Sequence, residues 1–395
     1  MYLMRFQETA EERALRTELR DYFATLMSAE DREGLGAPGE NEPAFRRVVR
    51  RLGADGWLGI GWPKEYGGQA RSAREQFIMF DEVQRAGVPF PFVTINTVGP
   101  TIMRFGTEAQ KERYLPGILA GEINVAIGYT EPGAGTDLAS LRTSARLDGN
   151  EWIVNGSKVF TSGANQADYV WLACRTDPDQ PKHKGLSMLM VPTDSPGFRV
   201  TPIVTVGDIV TTATYYDDVH VPADNLVGER GGGWRMITTQ LNHERVGLAA
   251  LGGPCWRLWG EVREWARTAP APEGGVLADV PWVRADLADC YARLEAMKLL
   301  NAQMVTAIAE DRLQPAEASS AKFYGTETHV HVYRKLLGIL GAAGWLRAGS
   351  PGAALRGQVE RMGRSAQINT FGGGVNEIQR EIVAATGLGM ARRAR

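Results

Sequence analysis

The strongest constraint on the fold is a change of hydrophobic period partway along the chain. Up to about residue 122, apolar residues recur at helical spacing: Leu15, Leu19, Phe23 and Leu26, then Phe77, Phe80 and Val83. That is the repeat of amphipathic helices. From Ile123 to about Gly228, short β-rich runs take over (INVAIGYT, EWIVNG, YVWLACRT, LSMLMVP and TATYYDDVHV), separated by Gly, Pro, Asp and Asn. Such punctuation suits a compact barrel or sandwich. From Trp234 to about Ala385 the helical period returns, broken by the loop Ala269–Asp279. The order predicts an α+β multidomain chain: an N-terminal helical domain over 1–122, a β-barrel or sandwich domain over 123–230 and a C-terminal helical bundle over 231–395. There is no βαβ alternation and no GxGxxG turn after a strand, so a Rossmann dinucleotide site is disfavoured.

Bulk properties narrow the function. The 395 residues carry a net charge of −2, from 44 basic and 46 acidic side chains, with no long run of either sign. A nucleic-acid or membrane-surface partner would want a basic field, and the Arg392-Arg393 tail reads as a solvated end. No apolar leader and no run of about 18 apolar residues is present, which supports neither secretion nor membrane spanning. Cys174, Cys255 and Cys290 show no CxxC spacing and read as reduced, packed thiols of a cytoplasmic protein. His329 and His331 lie two apart, which on a helix directs them to different faces, so no metal site is expected.

The stretch Gly128–Gly163, GYTEPGAGTDLASLRTSARLDGNEWIVNGSKVFTSG, carries the chemistry. Small and hydroxyl side chains surround Pro132, Gly133 and Gly135, so backbone amides can approach a ligand closely. The chain then turns through Asp148-Gly149-Asn150 into a strand and ends on Phe160-Thr161-Ser162, a ring beside two hydroxyls. Amides, hydroxyls and one aromatic face suit a flat, polar-edged heteroaromatic cofactor with a pyrophosphate. A glycine-rich turn followed by a β-hairpin is the structural alternative.

A second candidate lies in MITTQLNHERVGLAALGG, residues 236–253. Ile237, Leu241, Leu248 and Leu251 fall on one helical stripe, and Glu244 shares it. A carboxylate on an apolar face loses hydration, which raises its pKa toward that of a general base working near neutrality. A buried ion pair would explain the position equally well.

The Gly128–Gly163 segment resembles the flavin-binding signature of the acyl-CoA dehydrogenases, and the likeness continues over nearly the whole chain. ELRDYFATLM, GWPKEYGGQ, QADYVWLACRT, ATYYDDVHVP, QLNHERV and FGGGVNEIQREI carry a narrower resemblance, to the catalytic α subunits of bacterial steroid (cholesterol) side-chain members. The family implies FAD, held here by Tyr129, Thr130, Gly135, Thr136, Phe160, Thr161, Ser162 and Glu377. Many members carry the catalytic glutamate near the C-terminus, where this chain has Gly373. A minority place it on the helix opening the C-terminal domain, and Glu244 in QLNHERV matches that version. The resemblance then implies that Glu244 removes the α-proton of an acyl-CoA while the β-hydrogen leaves as hydride to the flavin, giving a trans-2-enoyl thioester. The Gly373 amide would bind the thioester oxygen, as the chemistry requires of some donor; a flexible turn explains the glycines nearly as well. Arg245 matches an arginine near the substrate channel, or is a surface cation.

Two departures from the family concern the surface that homo-oligomeric members use to complete a neighbour's FAD site. Their R-x-x-F-G arginine motif has no Phe-Gly counterpart after Arg267, and Gly338 stands where they have a glutamine, ahead of the Gly341–Gly344 turn. Val375 also replaces a family threonine. These losses imply an α2β2 assembly with a homologous β subunit, passing electrons to an electron-transferring flavoprotein. Competing readings are an oxygen-using relative, a dehydrogenase of another branched or medium-chain acyl-CoA, and a non-catalytic subunit that completes a partner's site.

Overall fold

The computed structural model describes residues 8–36, 42–240, 252–310 and 312–390. The first helices are α1 (Ala10–Leu26), α2 (Ala29–Gly36), α3 (Glu42–Ala54), α4 (Ala73–Ala86), α5 (Gly99–Phe105) and α6 (Glu108–Leu119). Leu15, Leu19, Phe23 and Leu26 of α1 are all buried, as their spacing predicts. Helix starts follow local chemistry. Thr9, Ser72 and Thr107 each accept a bond from the backbone three residues on, and Glu12, Glu75 and Gln110 return it; each reciprocal pair satisfies two otherwise orphaned donors. The loop between α3 and α4 is more ordered than its glycines suggest. Trp57, Leu58, Ile60 and Trp62 are buried, and a Cβ on Gly68 would lie 2.1 Å from the Trp62 carbonyl.

The centre is one mixed sheet of β1 (Val125–Gly128), β2 (Ser144–Asp148), β3 (Glu151–Val159), β4 (Tyr169–Arg175), β5 (Leu186–Pro192), β6 (Phe198–Val204), β7 (Val210–Pro222) and β8 (Leu226–Val227). The order is β6-β7-β3-β2-β4-β5-β8, with β1 beside β4. Most pairs are antiparallel, but β1 runs parallel to β4, with Gly128 opposite Leu172. Gly128 is a packing glycine, since a Cβ there would lie 2.7 Å from Val170 Cγ1. The expected turn at Asp148-Gly149-Asn150 joins β2 to β3, with Gly149 at φ +59°. Register in β3 shifts between Val154 and Gly156, a bulge that re-aims the following side chains.

The C-terminal part holds α7 (described over 233–240), α8 (Gly253–Ala266), α9 (Pro281–Ala309), α10 (Pro315–Leu340), α11 (Gln358–Ser365) and α12 (Asn376–Ile382). Gln303 meets Glu317, Asp289 meets His331 and Asp286 meets Lys335; the rising and falling numbers make α9 and α10 antiparallel. His329 is buried while His331 is half-exposed, in line with their spacing. Among the described residues the three cysteines are free and buried, no group of His, Cys, Asp and Glu could hold a metal ion, and no helix is long and apolar enough to cross a membrane.

Two polar ties set the sheet against the helices. Arg46 of α3 donates to Asp168 Oδ1 at 3.1 Å and to the Gln166 carbonyl at 2.9 Å, while Asp168 accepts the Asn124 amide that starts β1. Arg364 of α11 donates to Asp208 at 2.6 Å and to the Val206 carbonyl at the β6–β7 tip. A single buried cluster runs from α1 and α4 through Trp171, Met188 and Met190 of the sheet to Met304 and Ala318 of α9 and α10. The three regions share a core.

Candidate functional site

Residues 129–137 leave β1 as a tight loop. Glu131 and Ala134 exchange backbone bonds of 2.9 and 3.1 Å, which turns the chain back on itself. The Glu131 carboxylate points inward and accepts the Arg142 amide at 2.7 Å, the Thr143 amide at 2.8 Å and Lys158 Nζ at 2.8 Å. Lys158, only 1% exposed, also donates to the Tyr129 carbonyl at 3.0 Å. Burial alone would raise the Glu131 carboxyl, but Lys158 and the two amides outweigh it and hold it below its ordinary value. A buried charge pair persists only when its remaining donors and acceptors are also satisfied, as here. Sequence reasoning missed this pair. Its signal was a lysine in step with the inward-facing Trp152 and Val154 of β3.

The loop then runs beside β3, because the Thr130 carbonyl accepts the Val159 amide at 2.8 Å. At the end of β3, Phe160 takes φ +61° and stands 60% exposed. Left-handed backbone at a bulky residue is costly, and here it turns a large ring outward. Thr161 is fully buried: its amide donates to the Thr212 carbonyl at 3.0 Å and its hydroxyl lies 3.3 Å from Thr214 Oγ1. Ser162 Oγ lies 2.8 Å from Thr211 Oγ1. Gly135 and Thr136 sit on the outer rim of the loop, exposed; a Cβ on Gly135 would meet nothing closer than Thr130 Cγ2 at 3.8 Å. The structure therefore gathers Tyr129, Thr130, Phe160, Thr161 and Ser162 at the ends of β1 and β3. An open ring and an uncrowded glycine fit a flat, polar-edged cofactor, while the Thr161 hydroxyl is spent inside the sheet.

Gly373 and Glu377 belong to a different element, the turn entering α12. Gly373 has φ +65° with no atom within 4 Å of where a Cβ would stand. Lys322 of α10 holds this turn, donating to the Gly374 carbonyl at 2.7 Å, Asn376 Oδ1 at 2.8 Å and the Thr370 carbonyl at 3.4 Å. Burial pulls the Lys322 ammonium down to about 8, against partial support from Glu377 and Glu327. Glu244 and Arg245 lie outside the described residues, as do Leu241, Leu248 and Leu251. The described part of α7 buries Met236, Ile237 and Gln240, and Tyr129 Oη hydrogen-bonds Gln240 Oε1, which ties α7 to the loop. The surface positions Arg267 and Gly338 are exposed. Arg267 lies 3.7 Å from Glu264, and nothing is within 4 Å of a Cβ on Gly338.

Comparison with known proteins identifies the frame. Models of the acyl-CoA dehydrogenase N-terminal, middle and C-terminal domains match residues 9–122, 126–219 and 231–388. The chain is 50% identical to acyl-CoA dehydrogenase FadE26 of Mycobacterium tuberculosis, over 98% of this chain and 99% of the relative. FadE29 of the same organism is 48% identical, over 97% and 98%. Among solved structures, the Tcur3481-Tcur3483 steroid ACAD aligns with a TM-score of 0.93 at 60% identity, covering 99% of this chain and all of that one. The ChsE4-ChsE5 complex from M. tuberculosis aligns with a TM-score of 0.93 at 50% identity, again over 99% and 100%. With all three domain models matched in order along the chain, this protein belongs to the acyl-CoA dehydrogenase family, oxidoreductases acting on a CH–CH bond.

Proposed function

We propose that the chain is the catalytic subunit of an FAD-dependent dehydrogenase that converts a bulky acyl-CoA, of the steroid side-chain class, to its trans-2-enoyl thioester. The observation that carries the reading is the loop 129–137, pinned by the Glu131–Lys158 pair beside the exposed ring of Phe160 and tied to α7 through Tyr129. Names of similar proteins support the substrate class, since one of the aligned structures is described as a steroid ACAD. The family is flavin-dependent by resemblance, and FAD, when bound, supplies the hydride acceptor.

The residues divide the remaining work. Phe160 offers its face to the flavin ring, while Tyr129, Thr130, Gly135, Thr136, Thr161, Ser162 and Glu377 surround the cofactor. Glu244 takes the α-proton, with Arg245 near the substrate channel. An α-proton beside a thioester is far too weakly acidic for a carboxylate unless the developing oxyanion finds donors. The Gly373 amide serves as one of them, and the open backbone at that glycine leaves room for a thioester. Electrons pass onward to an electron-transferring flavoprotein, and a homologous β subunit completes an α2β2 assembly; the two-component structures of similar proteins support this.

The test is Glu244→Gln in the flavin-loaded complex. Turnover should fall by about 10²–10⁴-fold, the share a positioned base supplies, while flavin and acyl-CoA still bind. Unchanged turnover would overturn the assignment. Rapid reoxidation of the reduced flavin by air would instead support an oxygen-using relative.

A further inference from the structure

Gln240 is 2% exposed, yet its carboxamide nitrogen has no hydrogen-bond partner among the described residues. Its oxygen is committed. Trp171 Nε1 donates to Tyr129 Oη at 3.1 Å, and Tyr129 Oη in turn meets Gln240 Oε1. An indole N–H can only donate, so the phenol accepts it and spends its own proton on the carboxamide oxygen. The amide orientation is thereby fixed, and two N–H donors are left facing a buried space. Leaving such a donor unmet is costly, and natural structures do it where a ligand or an ordered water completes the bond.

The location favours a ligand. Tyr129 opens the loop whose next residues approach the proposed flavin site. In the sequence Gln240 stands four residues before Glu244, the proposed base. The unused donors therefore sit where the 129–137 loop meets the described part of α7. Both molecules of the proposed reaction carry carbonyl acceptors: the imide carbonyls of a flavin ring, and the thioester and amide carbonyls of an acyl-CoA.

We propose that Gln240 is a ligand-binding residue that donates from its carboxamide NH2 to a carbonyl oxygen of the molecule held between the 129–137 loop and α7. Trp171 and Tyr129 are positioning residues that aim it. The inference rests on the proposed dehydrogenase reading.

The experiment uses the flavin-loaded complex and two variants. Gln240→Met keeps the length of the side chain and removes the donor. The double variant Tyr129→Phe with Gln240→Met also removes the phenol that would otherwise be stranded and leaves only the Trp171 indole N–H unmet, and a thermal melt of each variant separates loss of the donor from loss of fold. FAD affinity is measured on flavin-stripped protein by fluorescence. Affinity for a steroid side-chain acyl-CoA is measured from the flavin absorbance change on saturating the holoenzyme. One of the two dissociation constants should rise roughly 5–10-fold in both variants, the range one neutral hydrogen bond supplies. A rise confined to FAD assigns the bond to the flavin; a rise confined to the thioester assigns it to the acyl-CoA. If both constants stay within about twofold of wild type in the double variant, the donor serves a buried water and the proposal is overturned. Failure of the Glu244→Gln test would sink the dehydrogenase reading without moving either constant, so the two outcomes are distinguishable.

Discussion

Lys158 is the residue whose replacement best separates folding from chemistry. Its ammonium is buried, and it binds both Glu131 and the carbonyl of Tyr129. Lys158→Met leaves the Glu131 carboxylate with two amide donors and no counter-charge, and breaking such a pair costs about 3–5 kcal/mol. Thermal unfolding should register that loss, and flavin retention should fall with it because the loop is no longer held against β3. The pH sign follows from Glu131. Its folded value lies below the ordinary one, so its stabilisation is complete above the ordinary carboxylate range and disappears as pH falls through the depressed value. In Lys158→Met burial acts with less opposition, and the acid edge of the unfolding curve should move to higher pH. Phe160 tests the opposite balance. Phe160→Gly removes both the left-handed strain and the ring, so the flavin-stripped fold should keep its stability to within about 1 kcal/mol while FAD affinity drops. A calorimetric loss well beyond that would assign the ring to packing rather than to the cofactor.

At the scale of elements, the turn entering α12 depends on one side chain from α10. Lys322 reaches three acceptors on that turn, and burial brings its ammonium down to about 8 from an ordinary 10.5. The folded chain thus releases this proton near pH 8 while the unfolded chain keeps it to higher pH. Global stability should consequently rise, not fall, between those values. The neutral amine has one donor fewer for the same three acceptors, so acyl-CoA affinity should weaken as pH passes about 8. Lys322→Arg keeps the charge, and its affinity should stay flat over the same interval; matching alkaline limbs in both proteins would show that the turn does not sense Lys322. The spacing of Leu15 to Leu26 was legible because its cause is local. The parallel pairing of β1 with β4 was not, because strand order is settled by contacts far apart in the chain. Nor was the grip of Lys322 on residues 370–376, which joins side chain and turn across about fifty positions.

For the whole molecule, the question is what covers the surface around the β6–β7 tip and the end of α10. Val204 and Val206 stand 71% and 74% exposed at that tip, which Arg364 fastens to α11, and Trp345 is 63% exposed just beyond α10. Large side chains on a single soluble chain need no explanation one by one, but several on neighbouring elements mark a contact surface. The sequence departs from the family at two exposed positions, Arg267 at the end of α8 without its Phe-Gly and Gly338 near the end of α10 in place of a glutamine that serves a neighbour's cofactor. A second copy of this chain would bring neither the complete arginine motif nor the glutamine, whereas a homologous chain that retains them would. The chain expressed alone should therefore fail to form a homotetramer holding one FAD per subunit. Co-expressed with its homologous partner it should elute as an α2β2 species, measured by light scattering on a sizing column, with flavin absorbance in the same peak. A fully active, flavin-saturated homotetramer of this chain would show instead that the missing Phe-Gly and glutamine have been replaced from within, and the heteromeric reading would fall while Glu244 and the loop of residues 129–137 kept their proposed roles.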